Sequence, residues 1–360
     1  MNAVHSARGD RTAPVLITGG GGFIGCNIAD ALAARGTSVL VFDNMSRDGA
    51  QENVAWLKQR HGDRIAVEAA DIRDTEKVER SVARSSAILH LAAQVAVTTS
   101  LGRPVDDFEI NARGTLNVLE ALRLHNPRAP LVFASTNKVY GRLFAAGTFV
   151  LHGKRYIATD AGLARGVAET DALDLHSPYG CSKGAADQYV HDYAHVYGLR
   201  TAVLRMSCVY GPRQFGTQDQ GWIAYFTLQS IKRRPITIFG DGLQVRDALH
   251  IDDAIAAWLG TLANIDAVRG RAFNLGGGPE NAVSLLELID LIGRMRGDVP
   301  QVRFAVRRPG DQPWYVSDTR ALSAAIGWRP RVRLQDGLHM LEKWLHGRFG
   351  AAPLPRREVA

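Results

Sequence analysis

The stretch VLITGGGGFIG, Val15 to Gly25, decides the fold. Its first four residues are apolar or β-branched and read as a buried strand. Gly19, Gly22 and Gly25 then recur at every third position, with Phe23 and Ile24 opening a helical pattern that runs to Arg35. Glycine there permits a tight turn and lets backbone N–H groups approach a pyrophosphate at a helix N-terminus. The spacing alone is a weak signal, because a plain hairpin turn also uses glycine. The context is stronger: a strand before, a helix after, and a second strand, SVLVF at 38–42, soon afterwards. Asp43 closes that second strand, where a carboxylate accepts from both hydroxyls of an adenosine ribose and repels a 2′-phosphate. NAD is thus favoured over NADP, with Arg47 pulling the other way.

Working outward, apolar runs at 65–70, 87–93, 131–135 and 201–207 read as further strands. Stretches 50–60, 75–83 and 105–125 read as helices between them. Strands without polar alternation, separated by helices, predict a parallel sheet covered on both faces. The expected class is α/β, a Rossmann-type doubly wound sheet with ligands at the carboxyl ends of its strands. The second half is less regular. PITIFG and RAFNLGGG read as short strands, and 283–295 and 334–349 as amphipathic helices, the latter with Leu334, Leu338, Leu341 and Leu345 at 3–4 spacing. Residues 13–207 are expected to form the NAD-binding domain, with an insert at about 142–170 and with 243–275 returning to it. Residues 208–242 and 276–350 are expected to form a substrate-binding lobe. Residues 1–12 and 351–360 read as a disordered lead-in and tail.

Composition narrows the class. Of 360 residues, 46% are hydrophobic and 22% charged, as in soluble globular proteins. No apolar run nears the roughly 20 residues that span a bilayer, and the N-terminus has no secretory h-region. Cys26, Cys181 and Cys208 are odd in number and far apart, so neither a disulfide framework nor a metal site is expected, and a cytoplasmic location is. The net charge of +7 is scattered, without a basic stripe, so no nucleic-acid partner is expected.

The segment HSPYGCSK, 176–183, carries the chemistry. Ser177 suits an N-cap and Pro178 the first helical position. Tyr179 and Lys183 then share one helix face. The helix N-terminus and the ammonium both favour a phenolate, so Tyr179 is expected to act as an acid/base nearer neutral pH than a free phenol. Thr136, at the end of the strand LVFAS, can complete a hydroxyl relay with it. A Tyr–Lys spacing of four is common on surface helices; the dinucleotide turn upstream is what gives it weight.

Together these segments, with FDNMSR, DIRD, HLAAQ, NARGTLNVLEA, STNKVYG, VYGPRQ, QVRDALHIDD and RRPGDQ, resemble the extended short-chain dehydrogenase/reductase family of sugar-nucleotide epimerases and dehydratases, from Val15 to about Phe349. Within it the chain is most similar to the branch that inverts C2 of a CDP-linked hexose. The resemblance implies a nucleotide-sugar substrate, tightly held NAD, and a homodimer or homotetramer built on helices such as 105–125 and 178–197. It implies that Gly19, Gly22, Phe23, Ile24 and Gly25 cradle the pyrophosphate, that Asp43, Asn44, Ser46 and Arg47 hold the adenosine ribose end, and that Asp71 and Ile72 flank the adenine. Leu91, Ala92, Ala93, Gln94 and Asn111 complete the cofactor site with Tyr179 and Lys183. Gln94, Thr98, Asn137, Lys138, Ser207, Arg213, Arg246 and Asp311 are the implied substrate contacts, Arg246 at the diphosphate. Ser207 departs from the Asn common at its position.

The pair Asn137-Lys138 separates activities. Dehydratases resembling this chain place Asp-Glu there, two carboxyl groups suited to eliminating water. An amide does not titrate, and a lysine acts as a base only when its pKa is strongly depressed. Asn137 can instead hydrogen-bond sugar hydroxyls; Lys138 can do so, point to solvent, or pair with an acid. The expected reaction is redox epimerisation at C2 through a 2-keto sugar. A C4 epimerase, a CDP-glucose 2-epimerase, a simple dehydrogenase and a nucleotide-sensing regulator are the alternatives. The insert at 142–170 reads either as a lid or as a surface excursion.

Overall fold

The computed structural model describes residues 13–141, 148–308 and 310–350. The expected lead-in and tail, and residues 142–147 of the insert, lie outside them. Seven parallel strands form the central sheet: β1 (Val15–Thr18), β2 (Val39–Asp43), β3 (Ile65–Ala69), β4 (Ala87–His90), β5 (Leu131–Thr136), β6 (Thr201–Met206) and β7 (Arg271–Leu275). Their order is 3-2-1-4-5-6-7. Every residue of β1, β4 and β5 is buried, because helices cover both faces. Side chains alternate across the sheet, so Ile17 and Leu89 pack with Ile28 and Trp258 on one face while Leu16 and Phe133 pack with Leu122 and Val190 on the other. The segment RAFNLGGG belongs to this sheet as β7, with Ala272 opposite Val203.

Connections leave β1 and β4 in opposite directions, which opens a crevice at their carboxyl ends. His90 ties the two strands there. Its Nδ1 lies 2.6 Å from Thr18 Oγ1 and its Nε2 3.0 Å from Thr115 Oγ1. Burial pushes its pKa down to about 3, so the imidazole is a neutral connector.

The predicted helix at 105–125 runs from Pro104 to His125 with a π-turn at Glu109–Arg113. Such a turn adds a residue and reorients its side chains; Asn111, within it, is fully buried.

The smaller lobe rests on Val245–His250, which pairs with Cys208–Tyr210, Ala282–Ser284 and Trp314–Tyr315. Helices Trp222–Ile231, Leu285–Arg296 and Leu334–Phe349 share a core of Ile223, Leu288, Leu338 and Leu341. All four leucines at 3–4 spacing in the last helix are buried. Ser284 and Glu287 close a capping box at the second helix. The described part of the insert is a hairpin, Phe149–His152 with Arg155–Ala158, docked on this lobe. Arg155 donates twice to Glu287 at 2.6 Å, Tyr156 Oη donates to Asp241 at 2.6 Å, and the Phe149 ring stacks on Trp314.

Candidate active site

A cavity of about 800 Å³ lies between the carboxyl edge of the sheet and the lobe. One end is the glycine turn. A Cβ at Gly25 would sit 2.4 Å from Gly19 O, and one at Gly19, whose φ is +69°, 2.8 Å from Ala92 N. Only glycine lets the turn lie this close to itself and to the end of β4. Asp43 accepts from the N–H groups of Gly21 (2.9 Å) and Met45 (2.8 Å), which fixes its carboxylate at the cavity wall. Asn44 donates to Asp71 at 2.9 Å. Two bonds from the Arg73 guanidinium hold the Asp71 carboxyl well below the usual range. Ser46 and Ile72 line the same end, and Leu91 to Gln94 continue along it. A bare glycine backbone facing an anchored acceptor fits the pyrophosphate and ribose of NAD. Arg47 donates to Gln220 Oε1, across to the loop after Gly211, so its guanidinium is engaged.

Beside this end starts the helix Ser177–Val196. Ser177 has φ +65° and its Oγ accepts from Gly180 N–H at 3.2 Å, the bond expected of a capping serine. Tyr179 follows in the first turn, its N–H donating to Ser100 Oγ and its hydroxyl under the influence of the Thr136 side chain. Lys183 lies one turn on, its Nζ 4.1 Å from the Phe133 ring centroid. Thr136, Tyr179 and Lys183 all line the cavity, as the sequence predicts. Their titration differs from expectation. Burial pushes Tyr179 up to about 12 and Lys183 down to about 7. Loss of water around both groups outweighs the Thr136 hydroxyl and Arg47 at Tyr179, and Asp187 and Asp107 at Lys183.

At the other end stand Lys138, Arg246, Asp311 and Ser207. Lys138 points into the cavity wall, not to solvent, and donates to Gln312 Oε1 at 3.0 Å. Burial, reinforced by the Arg246 charge, pushes it down to about 8. Arg246 is paired with Asp311 at 2.7 Å and also donates to Gln312 O at 2.7 Å. Ser207 donates to Asp247 Oδ1 at 2.5 Å, so its hydroxyl is tied into the lobe. Thr98 lines the wall with Oγ1 buried and, among the described residues, unpartnered.

The sequence profile of the NAD dependent epimerase/dehydratase family matches residues 15–276. The chain belongs to that family. It is 43% identical over 338 residues to the CDP-paratose 2-epimerase of Salmonella typhi, covering 92% of this chain and 98% of that one. Among solved structures, the UDP-glucose 4-epimerase of Thermus thermophilus in complex with NAD is similar with TM-score 0.78 and 34% identity, over 93% of this chain and 99% of that one. The UDP-glucuronic acid 4-epimerase of Bacillus cereus, bound to UDP-glucuronic acid and NAD, gives TM-score 0.80 and 26% identity over the same shares. The protein is therefore an NAD-dependent nucleotide-sugar epimerase.

Two residues, Asn111 and Asn137, are placed differently from what the family resemblance implies. Asn111 stands behind the wall: its amide bonds both backbone groups of Gln94 and also Ser182 Oγ, so it holds the loop after β4. Asn137 is buried and does not line the cavity; its Oδ1 takes a long 3.4 Å bond from Thr136 Oγ1. The chain turns away at this point as a 3-10 helix, which carries residue 138, not 137, to the wall. Arg213, at φ +71°, does line the cavity, where it stacks on Trp56 at 3.8 Å beside the first two helices. The described insert lines none of the cavity. Sequence reasoning also misses Asp107, a buried acid bonded to Ser182, Gln94 and Asn111 behind the Tyr–Lys helix. An acid on the apolar face of a predicted helix is its one available signal. Arg308, stacked on Phe239 at 3.8 Å and paired with Asp219, carries none.

Among the described residues no helix is long and apolar enough to cross a membrane.

Proposed function

We propose that the protein inverts C2 of a CDP-linked hexose of the CDP-paratose/CDP-tyvelose type. The observation that carries this is Lys138 in the cavity wall, two residues beyond Thr136, where an elimination would need carboxyl groups. The 43% identity to a CDP-paratose 2-epimerase supports the same reading.

In this reading Gly19, Gly22, Gly25, Asp43 and Leu91 to Gln94 hold NAD, which when bound accepts the C2 hydrogen as hydride and returns it. Tyr179 Oη takes the proton of the C2 hydroxyl and gives it back after the face exchange. Thr136, which lines the cavity with Tyr179, holds the sugar oxygen in line. Burial disfavours both the phenolate and the ammonium, and Arg47 is the cation that favours the Tyr179 phenolate, with Lys183 one helical turn away as the further charge the reading assigns to it. Arg246 meets the diphosphate, and Lys138 a hydroxyl or the ketone of the sugar. A UDP-sugar 4-epimerase is the competing reading, favoured by the solved neighbours.

A homodimer fits the surface. Val105, Phe108 and Val196 are 71%, 53% and 63% exposed on helices 104–125 and 177–196. Apolar side chains gathered on two helices support a helical interface.

The test is NMR of turnover with CDP- and UDP-hexoses. Inversion at C2, with a C2 deuteron retained and none gained from deuterated water, is expected. Inversion at C4, loss of the C2 label, or a 4-keto-6-deoxy product would overturn it.

A further inference from the structure

Gln312 lies in the RRPGDQ segment, and nothing in its sequence context sets it apart. It is 6% exposed and sits between the two cations of the cavity. Its side-chain Nε2 donates to Gly141 O at 2.7 Å, and its Oε1 accepts from Lys138 Nζ at 3.0 Å. That fixes the amide: turned over, it would set an NH₂ against an ammonium and a carbonyl against a carbonyl. Its backbone oxygen accepts from Arg246 Nη2 at 2.7 Å, the same nitrogen that meets Asp311. One residue thus grips Lys138 through its side chain and Arg246 through its main chain. Gly141, the other anchor, has φ +52°, and a Cβ there would lie 1.7 Å from Asp174 O, so the position is closed to any side chain.

We propose that Gln312 is a positioning residue that holds Lys138 at the sugar and Arg246 at the diphosphate as one rigid unit, setting the span over which a nucleotide-linked sugar is read. The inference rests on the epimerase reading of this cavity. Its logic is geometric. A flexible lysine stem loses rotamer freedom when its head is held, and a pre-held head costs the bound state less. The charged and titratable groups that face Lys138 are Arg246, Asp311 and Cys208. None of them is hydrogen-bonded to its Nζ, so the amide carbonyl is the direct partner.

The two functions of Gln312 separate by substitution. Gln312→Leu removes the acceptor for Lys138 but keeps the backbone oxygen for Arg246. CDP affinity by calorimetry should then stay within about twofold, while kcat falls at least about tenfold, the usual scale for lost positioning. In protein labelled at lysine Cε, the signal assigned to Lys138 by its loss in Lys138→Met should titrate lower in Gln312→Leu. In Gln312→Glu it should titrate higher by roughly one to three pH units, since an adjacent carboxylate favours the ammonium. Opposite shifts with an unchanged melting temperature support the proposal. No shift in either variant, shifts of one direction, or CDP affinity falling in step with kcat would overturn it. The titration and CDP arms need no sugar turnover. If the wild type turns over no CDP-hexose, the function reading fails while these two arms still decide Gln312.

Discussion

Lys183→Met is expected to abolish turnover and, unusually for a buried substitution, to stabilise the nucleotide-free protein. Lys183 is 2% exposed, and among the described residues its ammonium forms no ion pair. Its nearest described company is the Phe133 ring, with Asp187 and Asp107 acting at longer range. Burial takes its pKa from 10.5 to about 7. The unfolded chain therefore binds more protons than the folded one between pH 7 and 10.5, and stability rises with pH across that window. Below pH 7 the whole penalty stands; above 10.5 it is gone. At about 1.4 kcal/mol per pH unit the ceiling is about 5 kcal/mol. Relaxation and water entry reduce it, so a gain of about 1–3 kcal/mol at pH 7 is expected. Methionine fills nearly the same volume and keeps a favourable contact with Phe133. The assay is urea unfolding of nucleotide-stripped wild type and variant from pH 6 to 10. The gap should close towards the upper end, where the wild type climbs more steeply than the variant; Lys138, at about 8, adds a smaller slope common to both. A variant less stable at every pH, or a gap that does not change with pH, would refute the reasoning.

Tyr179→Phe should lower kcat by about 10²–10⁴ with NAD content unchanged by mass spectrometry, since only the phenolic oxygen is lost. Gly25→Ala puts a Cβ 2.4 Å from Gly19 O and 2.8 Å from Gly20 Cα, both backbone, so it should cost about 1–3 kcal/mol in denaturant unfolding and strip NAD on purification. Arg205→Leu removes from Asp187 its two guanidinium bonds at 2.9–3.0 Å and leaves a buried charge with Ser135, Gln188 and His191 beside it; a loss of about 3–5 kcal/mol is expected by the same measurement. Phe108→Asp should shift the sedimentation of the proposed dimer towards monomer, with the melting curve of the isolated chain little changed.

The parts of the site legible in the sequence are those whose partners are close along the chain. Gly19, Gly22 and Gly25 announce the turn because turn geometry is local, and Tyr179 with Lys183 announce a face because one helix carries both. Lys138 and Gln312 are 174 positions apart, and no periodicity relates them. Arg47 is ambiguous in the sequence for the same reason: its partner, Gln220, lies on a loop of the second half. The direction of the Tyr179 shift is misread from sequence because helix terminus and neighbouring ammonium are visible there, whereas depth in a cavity is a property of the whole fold. The described hairpin of the insert sits on the lobe, held by Glu287 and Asp241, a placement that depends on partners far along the chain.

Chemistry on this scaffold is divided between two short stretches. In the proposed reading, Thr136, Tyr179 and Lys183 move a proton on and off a sugar oxygen. What else happens depends on which group stands at the wall next to Thr136. A carboxyl group there can pull a proton from carbon or hand one to a departing hydroxyl, and elimination follows. Lys138, by contrast, offers three donors as an ammonium and a single lone pair when neutral, with Arg246 opposing its charge and Gln312 fixing its head. With its pKa at about 8, it is protonated through most of the neutral range and serves there as a donor to an oxygen. Donation to oxygen steadies a ketone without breaking a C–O bond. In the proposed reaction a keto sugar held in this way leaves by return of hydride to carbon, and the face it presents then sets the configuration of the product.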